Sequence, residues 1–287
     1  MTTSNYNENK TLGPQGSRLV LSLYERDRPI FAFGEAQEIL RSRQTTQKVL
    51  GKLVERGIVT RLTSGLFQLV PFELGFQREH LGNPYVVARE LVKHHRGKAA
   101  QISEPEYYLS HASAMDLHQM VTQPQLVVYS TTQRQIRPRT ILGTEFRFVR
   151  CKEGHLFGTT DMWVEKSEKV KVSDIERTII DGLKQPEYCG GFSEVAKGFW
   201  IKKGEVAPLR LVDYALRLDV GAVISRLGFL MEVFEIDAPS EIERLHNNLT
   251  ATYHMLDPEL PSEGKFLARW RLRLNVTEEE LLALGRT

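Results

Sequence analysis

Cysteine is almost missing from this sequence. Cys151 and Cys189 are the only two in 287 residues, too few for a disulfide framework or a thiolate zinc site. No run of about 18 apolar residues occurs, so no segment reads as a spanning helix. The first ten residues, MTTSNYNENK, are polar and hold no apolar stretch that would mark them for export. Repeats and low-complexity tracts are absent. A clear excess of one charge is missing too, with 38 Lys and Arg against 36 Asp and Glu, a formal +2. At 41% hydrophobic and 26% charged, the composition excludes wholesale disorder, collagen and coiled coil. These absences predict a protein of a reducing compartment, the bacterial cytoplasm. The length predicts about two domains.

The near-neutral total hides an uneven distribution. Residues 1–90 carry 12 basic and 9 acidic side chains, and the remainder carries 26 and 27. The excess is concentrated between Arg41 and Arg61, where six basic residues (Arg41, Arg43, Lys48, Lys52, Arg56 and Arg61) meet one acid, Glu55. A phosphate-facing surface needs such a patch, and a solvated helix face also produces one.

Periodicity organises that region. Residues 1–14 read as a disordered polar tail ending in Gly13-Pro14, and residues 15–75 as a first domain. Leu19, Val20, Leu23 and Tyr24 recur at helical spacing, up to Asp27-Arg28-Pro29. Ile30 to Phe33 is a short strand candidate, followed by a helix over Gly34 to Leu40. Ser42 or Thr45 caps a third helix running to about Arg56. On it Thr46, Val49, Leu50, Leu53 and Val54 share one side; Gln44, Gln47, Lys48, Gly51 and Lys52 share the other. Gly57 suits a left-handed stop. Arg61 to Leu69 then reads as two strands around Thr63-Ser64-Gly65, ended by Pro71. Three helices and a β-hairpin in this order predict a winged helix-turn-helix. Its third helix fits a major groove and its wing fits the adjacent backbone. The expected DNA-binding residues are Arg41, Arg43, Gln44, Thr45, Gln47, Lys48, Lys52, Arg61, Thr63 and Ser64. A winged helix used for protein contacts is the alternative.

Residues 71–85 read as a connector, and residues 76–287 as a larger α+β domain in which strands are grouped and then helices. The expected elements are helices at Val86–His95 and Glu106–His118, then strands at Leu126–Tyr129, Glu145–Val149, Asp161–Val164 and Val170–Val172. Helices follow at Asp174–Leu183, Phe192–Ile201, Pro208–Leu218 and Gly221–Phe234, then a strand at Phe266–Leu272 and a helix at Glu278–Leu284.

Five short stretches in this order carry a resemblance. Arg61 to Leu69 is similar to the wing ending of AbiEi-type antitoxins. Tyr107 to His118, with Thr122-Gln123-Pro124 behind it, resembles that family's "YYLSHASAL-x-x-HGLT-x-Q" signature, with Gln119-Met120 where Gly-Leu is usual. Asp174 to Asp181 resembles its "E-R-T-L-L-D" helix, Cys189 to Phe192 its "GG" step, and Ser225 to Leu230 its "RLGYLLE" segment. The resemblance spans about residues 35–235. It implies a type IV toxin–antitoxin antitoxin that represses its own operon through double-stranded operator DNA, as monomer or dimer. It further implies antagonism of a nucleotidyltransferase-like toxin without a stable complex. Tyr108, Ser110, His111, His118, Glu176, Arg177, Asp181 and Arg226 are the motif residues it points to in the larger domain.

Catalytic constellations are weak. Ser110, His111 and Asp116 invite a triad, but adjacent Ser and His on one helix point about 100° apart and do not readily share a hydrogen bond. His111 and His118 are expected on one helical face roughly 10.5 Å apart, too far for one metal. Glu263-Gly264-Lys265 with Asp257 is the one formal hit to a metal-nuclease pattern. Arg177 and Asp181 are spaced for a helix-face ion pair, best read as a buried network holding helix to sheet. Arg134, Arg137, Arg139, Arg147, Arg150 and Lys152 make either a second basic face or the wet side of a sheet. The expectation is a non-enzymatic protein with no cofactor, no metal and no membrane partner. A regulator whose C-terminal domain senses a small ligand and a nucleic-acid-processing enzyme are the alternatives.

Overall fold

A computed structural model describes residues 12–74, 80–95, 107–121 and 126–284. The chain divides into two compact units, residues 1–101 with 140–144, and residues 102–139 with 145–287. No helix among the described residues is long and apolar enough to cross a membrane. Most of the expected tail, residues 1–11, lies outside the described residues. Gly13-Pro14 opens the first helix instead, because a proline at a helix start forgoes only an N–H that has no partner there.

In the first unit, α1 (Gly13–Glu25), β1 (Ile30–Ala32), α2 (Phe33–Leu40), α3 (Arg43–Glu55), β2 (Val59–Thr63), β3 (Leu66–Leu69) and α4 (Pro84–His95) follow in order. The strands form an antiparallel sheet, β1-β3-β2. The three leading helices close on one core: Leu19 and Leu23 from α1, Ala36 and Ile39 from α2, Leu50 and Leu53 from α3, with Phe31 and Phe67 of the sheet beneath. Ser42 rather than Thr45 is the cap. Its Oγ accepts the Thr45 N–H at 3.3 Å, and Thr46 Oγ1 donates to the Ser42 carbonyl at 2.8 Å. Arg41, at φ +59, turns the chain sharply between α2 and α3. The expected boundary at residue 75 falls inside this unit, since α4 packs on β1.

The second unit is α+β. It holds β4 (Tyr107–Leu109), α5 (His111–Leu117), β5 (Val127–Thr132), nearly all of β7 (Thr144–Arg150), β8 (Thr159–Glu165) and β9 (Glu168–Ser173), while most of β6 (Arg139–Ile141) falls to the first unit. Then come α6 (Ile175–Lys184), α7 (Phe192–Lys202), α8 (Pro208–Leu218), α9 (Gly221–Val233), α10 (Pro239–Asn247), β10 (His254–Met255), β11 (Lys265–Leu267), β12 (Leu272–Leu274) and α11 (Glu278–Leu284). Strands β6-β7-β5-β4-β9-β8 form a mixed sheet, with β5/β7 and β4/β9 parallel. A small sheet, β10-β12-β11, follows the helices.

The structure corrects two sequence expectations here. The single helix over Glu106–His118 is instead a strand and a short helix, Glu106 itself lying outside the described residues. Tyr107, Tyr108 and Leu109 are buried and pair with β5, and Leu109 also pairs with β9. Ser110 is extended and His111 takes φ +52, which starts α5 afresh. The expected strand at Phe266–Leu272 is two strands, because the turn between them drives Trp270 into the core at 0% exposure. The Trp270 indole donates to Glu232 Oε2 at 2.6 Å and lies across Gly228 of α9, where an added Cβ would meet the ring at 2.0 Å. Gly228→Val is therefore expected to cost about 3 kcal/mol through overpacking. Gly204→Ala, where a Cβ meets nothing within 4 Å, is expected to shift stability by less than about 0.5 kcal/mol. Urea midpoints of the two variants check the contrast.

Candidate nucleic-acid interface

The polar face of α3 is built by the cap at Ser42 and by its own periodicity. Thr46, Leu50 and Leu53 are buried, while Arg43, Gln44, Gln47, Lys48, Gly51 and Lys52 are exposed, as is Arg41 just before the helix. Thr45 is half-buried against the cap. Its N–H is the one that Ser42 accepts.

The β2–β3 hairpin stands beside this face. Gly65 at φ +80 makes the turn that a side chain would strain. Arg61 and Ser64 are exposed and Thr63 is half-buried. Two contacts hold the turn in place: the Phe33 N–H donates to the Gly65 carbonyl at 2.8 Å, and His94 Nε2 lies 2.9 Å from the Ser64 carbonyl. Arg61 Nε donates to the Thr63 carbonyl at 3.5 Å, across a bulge in the hairpin. Helix and hairpin enclose a groove of about 490 Å³ whose lining includes Arg43, Gln47, Gly51, Arg61 and Ser64. Of the expected residues, Arg43, Gln47, Arg61 and Ser64 line this groove, while Arg41, Gln44, Thr45, Lys48, Lys52 and Thr63 do not. Phe33, Glu55 and His94 belong to it or support it and were not singled out from sequence, since only the fold sets them there.

The motif residues of the second unit, in contrast, are interior. Tyr108, Ser110, His111, Glu176, Arg177 and Asp181 are each less than about a twentieth exposed. Arg177 Nε donates to Asp181 Oδ1 at 3.0 Å, and the Tyr108 hydroxyl donates to Asp181 Oδ2 at 2.9 Å, tying α6 to β4. Burial and the Asp181 carboxylate hold the Tyr108 phenol protonated, well above the ordinary tyrosine range. Burial pulls the Arg177 guanidinium down, and Asp181 and Tyr108 together more than restore it. Glu176 accepts from the Ala207 N–H at 2.8 Å. Arg226 donates through Nη1 to the Leu183 carbonyl at 2.6 Å and through Nη2 to the Met255 carbonyl at 2.9 Å. Burial lowers its pKa to about 10.

One expectation about the histidines is overturned. Ser110 Oγ and His111 Nδ1 lie 2.8 Å apart, a hydrogen bond, because neither residue has right-handed helical backbone at that junction. Thr131 Oγ1 donates to Ser110 Oγ at 2.8 Å, and the rings of Tyr129 and Tyr188 pack on the imidazole. With Ser110 and His111 1% exposed or less, the pair braces β4 on β5. His111 and His118 have separate partners. His118 closes α5, and its Nε2 reaches the Ser173 carbonyl at 2.6 Å. Among the described residues no His, Cys, Asp and Glu group of three or more has metal-site geometry. Asp257 Oδ1 accepts the Glu259 N–H at 2.9 Å, and Glu263 stands exposed on a turn.

No family model matches the chain, and no curated protein does. The crystal structure of the RV2827C protein from Mycobacterium tuberculosis is similar over 95% of this chain and 95% of its own, with a TM-score of 0.67 at 13% identity. The two chains share a fold.

Proposed function

We propose that this protein is a non-enzymatic DNA-binding autorepressor and antitoxin of a type IV toxin–antitoxin system, with a winged helix-turn-helix as its reading head. The observation that carries the DNA-binding part is the groove between α3 and the β2–β3 hairpin, where Arg43 and Gln47 of the helix face Arg61 and Ser64 of the hairpin, with Lys48 and Lys52 exposed on the same helix. Gln44 and Gln47 suit base edges; Arg41, Arg43, Lys48, Lys52 and Arg61 suit phosphates. The antitoxin part rests on the five motif stretches. The burial of Tyr108, Ser110, His111, Glu176, Arg177, Asp181 and Arg226 suits them to holding the second unit together, so antagonism of a nucleotidyltransferase-like toxin would act through other, exposed residues.

Lys48→Ala with Lys52→Ala is expected to weaken operator binding and to lower the slope of log affinity against log salt by about 2, roughly 0.9 for each lost phosphate contact. A gel-shift titration between low and moderate salt reads both quantities. An unchanged slope would remove α3 from the interface. Rescue of growth on co-expression with the toxin encoded by the neighbouring gene tests the antitoxin role.

A second reading, a regulator that senses a small ligand, is favoured by one feature. A cavity of about 300 Å³ in the second unit is lined by Tyr129, Arg147, Phe148 and Tyr188. Release from DNA on adding a metabolite extract would support it.

A further inference from the structure

The small β10-β12-β11 sheet shows an unusual outer face. Met255 and Phe266 both oppose Arg273 in register, so the three side chains share one side of the sheet. Tyr253 and Arg271, two residues before Met255 and Arg273, extend the same side. The contacts agree: Tyr253 and Phe266 meet edge to face at 5.1 Å, Arg271 lies 5.5 Å over Tyr253, and Arg273 lies 5.2 Å over Phe266. The opposite side carries Leu267, Leu272 and Leu274 into the core. Alternation would put polar residues on the outer side, yet Phe266 is 64% and Tyr253 38% exposed. Neither arginine has a carboxylate partner among the described residues, and Arg273 Nε is buried with no hydrogen-bond partner.

We propose that this face binds single-stranded RNA, with Phe266 and Tyr253 stacking on two bases and Arg271 and Arg273 holding the phosphodiester between them. The charge of the arginines selects an anionic occupant. The exposed parts of the two aromatic rings, each carrying an arginine on one face, select unstacked bases, which a duplex does not offer. The Tyr253 hydroxyl accepts from Arg271 Nη1 at 3.4 Å and keeps its own proton to donate, which suits a ribose 2′-hydroxyl. This proposal goes beyond the operator reading and does not rest on it.

The test uses the full chain carrying Lys48→Ala and Lys52→Ala, so that α3 contributes little, with fluorescence anisotropy on labelled decauridylate RNA. Phe266→Ala with Tyr253→Ala is expected to weaken binding about 10-fold or more, given roughly 1–3 kcal/mol per stacked base. Phe266→Trp is expected to retain it, and Arg273→Ala to weaken it and lower the salt slope. Operator binding by the chain with Lys48 and Lys52 intact is expected to stay unchanged in the platform variants, so failure of either idea is seen separately. Phe266 and Tyr253 are exposed and Arg273 is half-buried, and an unchanged melting temperature confirms the fold. No binding of the RNA, equal binding by the double-alanine variant, or binding of decathymidylate DNA as tight as RNA would each overturn the proposal.

Discussion

Replacing Asp181 with alanine is expected to lower the stability of the second unit by about 3–5 kcal/mol. The reason is the environment left behind. Arg177 is 1% exposed, and its guanidinium lies 4.1 Å over the Phe157 ring and 5.6 Å over Tyr108. Remove Asp181 and that cation stays buried without its counter-charge, while the Tyr108 hydroxyl loses its acceptor. At roughly 2–4 °C per kcal/mol for a unit of this size, melting should fall by about 10 °C. Arg177→Met combined with Asp181→Leu removes both charges and is expected to recover much of the loss, since replacing a buried pair by apolar groups is often close to neutral. Calorimetry on the single and double variants decides it. A double variant as unstable as Asp181→Ala alone would mean that packing, not the orphaned charge, sets the cost.

The second large effect is a loss of stability in mild acid that traces to His111. Burial holds its imidazole down to about 4 from the ordinary 6.5; Asp181 opposes the shift, and Lys184 and Arg177 add to it. Above pH 6.5 the folded and unfolded chains both carry His111 neutral, and the residue adds no pH dependence. Between pH 6.5 and about 4 the unfolded chain takes up a proton that the folded one does not, so stability falls as pH falls. The full shift corresponds to about 3 kcal/mol, and the loss levels off below about pH 4. His111→Asn keeps a residue tolerant of φ +52 and removes the titration. Its urea-derived stability should fall less than that of the parent chain between pH 7 and 4, by up to the same amount. Contributions from other histidines, such as the lowered His155 and His254, cancel in the comparison. Parallel pH profiles would show that His111 is not the group responsible.

Both effects lie in residues singled out from sequence, but for different reasons. The Arg177–Asp181 pair was legible because i,i+4 spacing on a helix fixes proximity before any tertiary contact forms. The polar face of α3 was legible for the same reason, and so was its cap at Ser42. The Ser110–His111 bond was not. Its existence depends on an extended Ser110 and a left-handed His111, and those follow from β4 pairing with β5 on one side and β9 on the other. Read as one helix, Tyr107 to His118 placed Ser110 and His111 on different faces. Paired as a strand, the same residues meet. The basic series from Arg134 to Lys152 shows the middle case. Its β7 part is expected as a strand at Glu145–Val149 and runs from Thr144 to Arg150, but the cavity beside Tyr129 joins it to Tyr188, a residue about 40 positions away.

The sequence alone therefore determined the local pieces of this protein: the order of helices and hairpin in residues 15–69, the basic face of α3, the helix-spaced ion pair, and an α+β second part. Apolar periodicity, capping side chains and charge spacing act within a few residues of one another, and they are written in the chain. The tertiary structure alone decided which of those pieces face solvent. It turned the motif residues of the second unit inward, because their polar groups find partners across β4, β5, β9 and α6. It also left Tyr253 and Phe266 outward on a three-stranded face whose members are drawn from residues 253–274 through strand register. Burial is set by what packs over a residue, and that is a property of distant segments rather than of its neighbours in sequence.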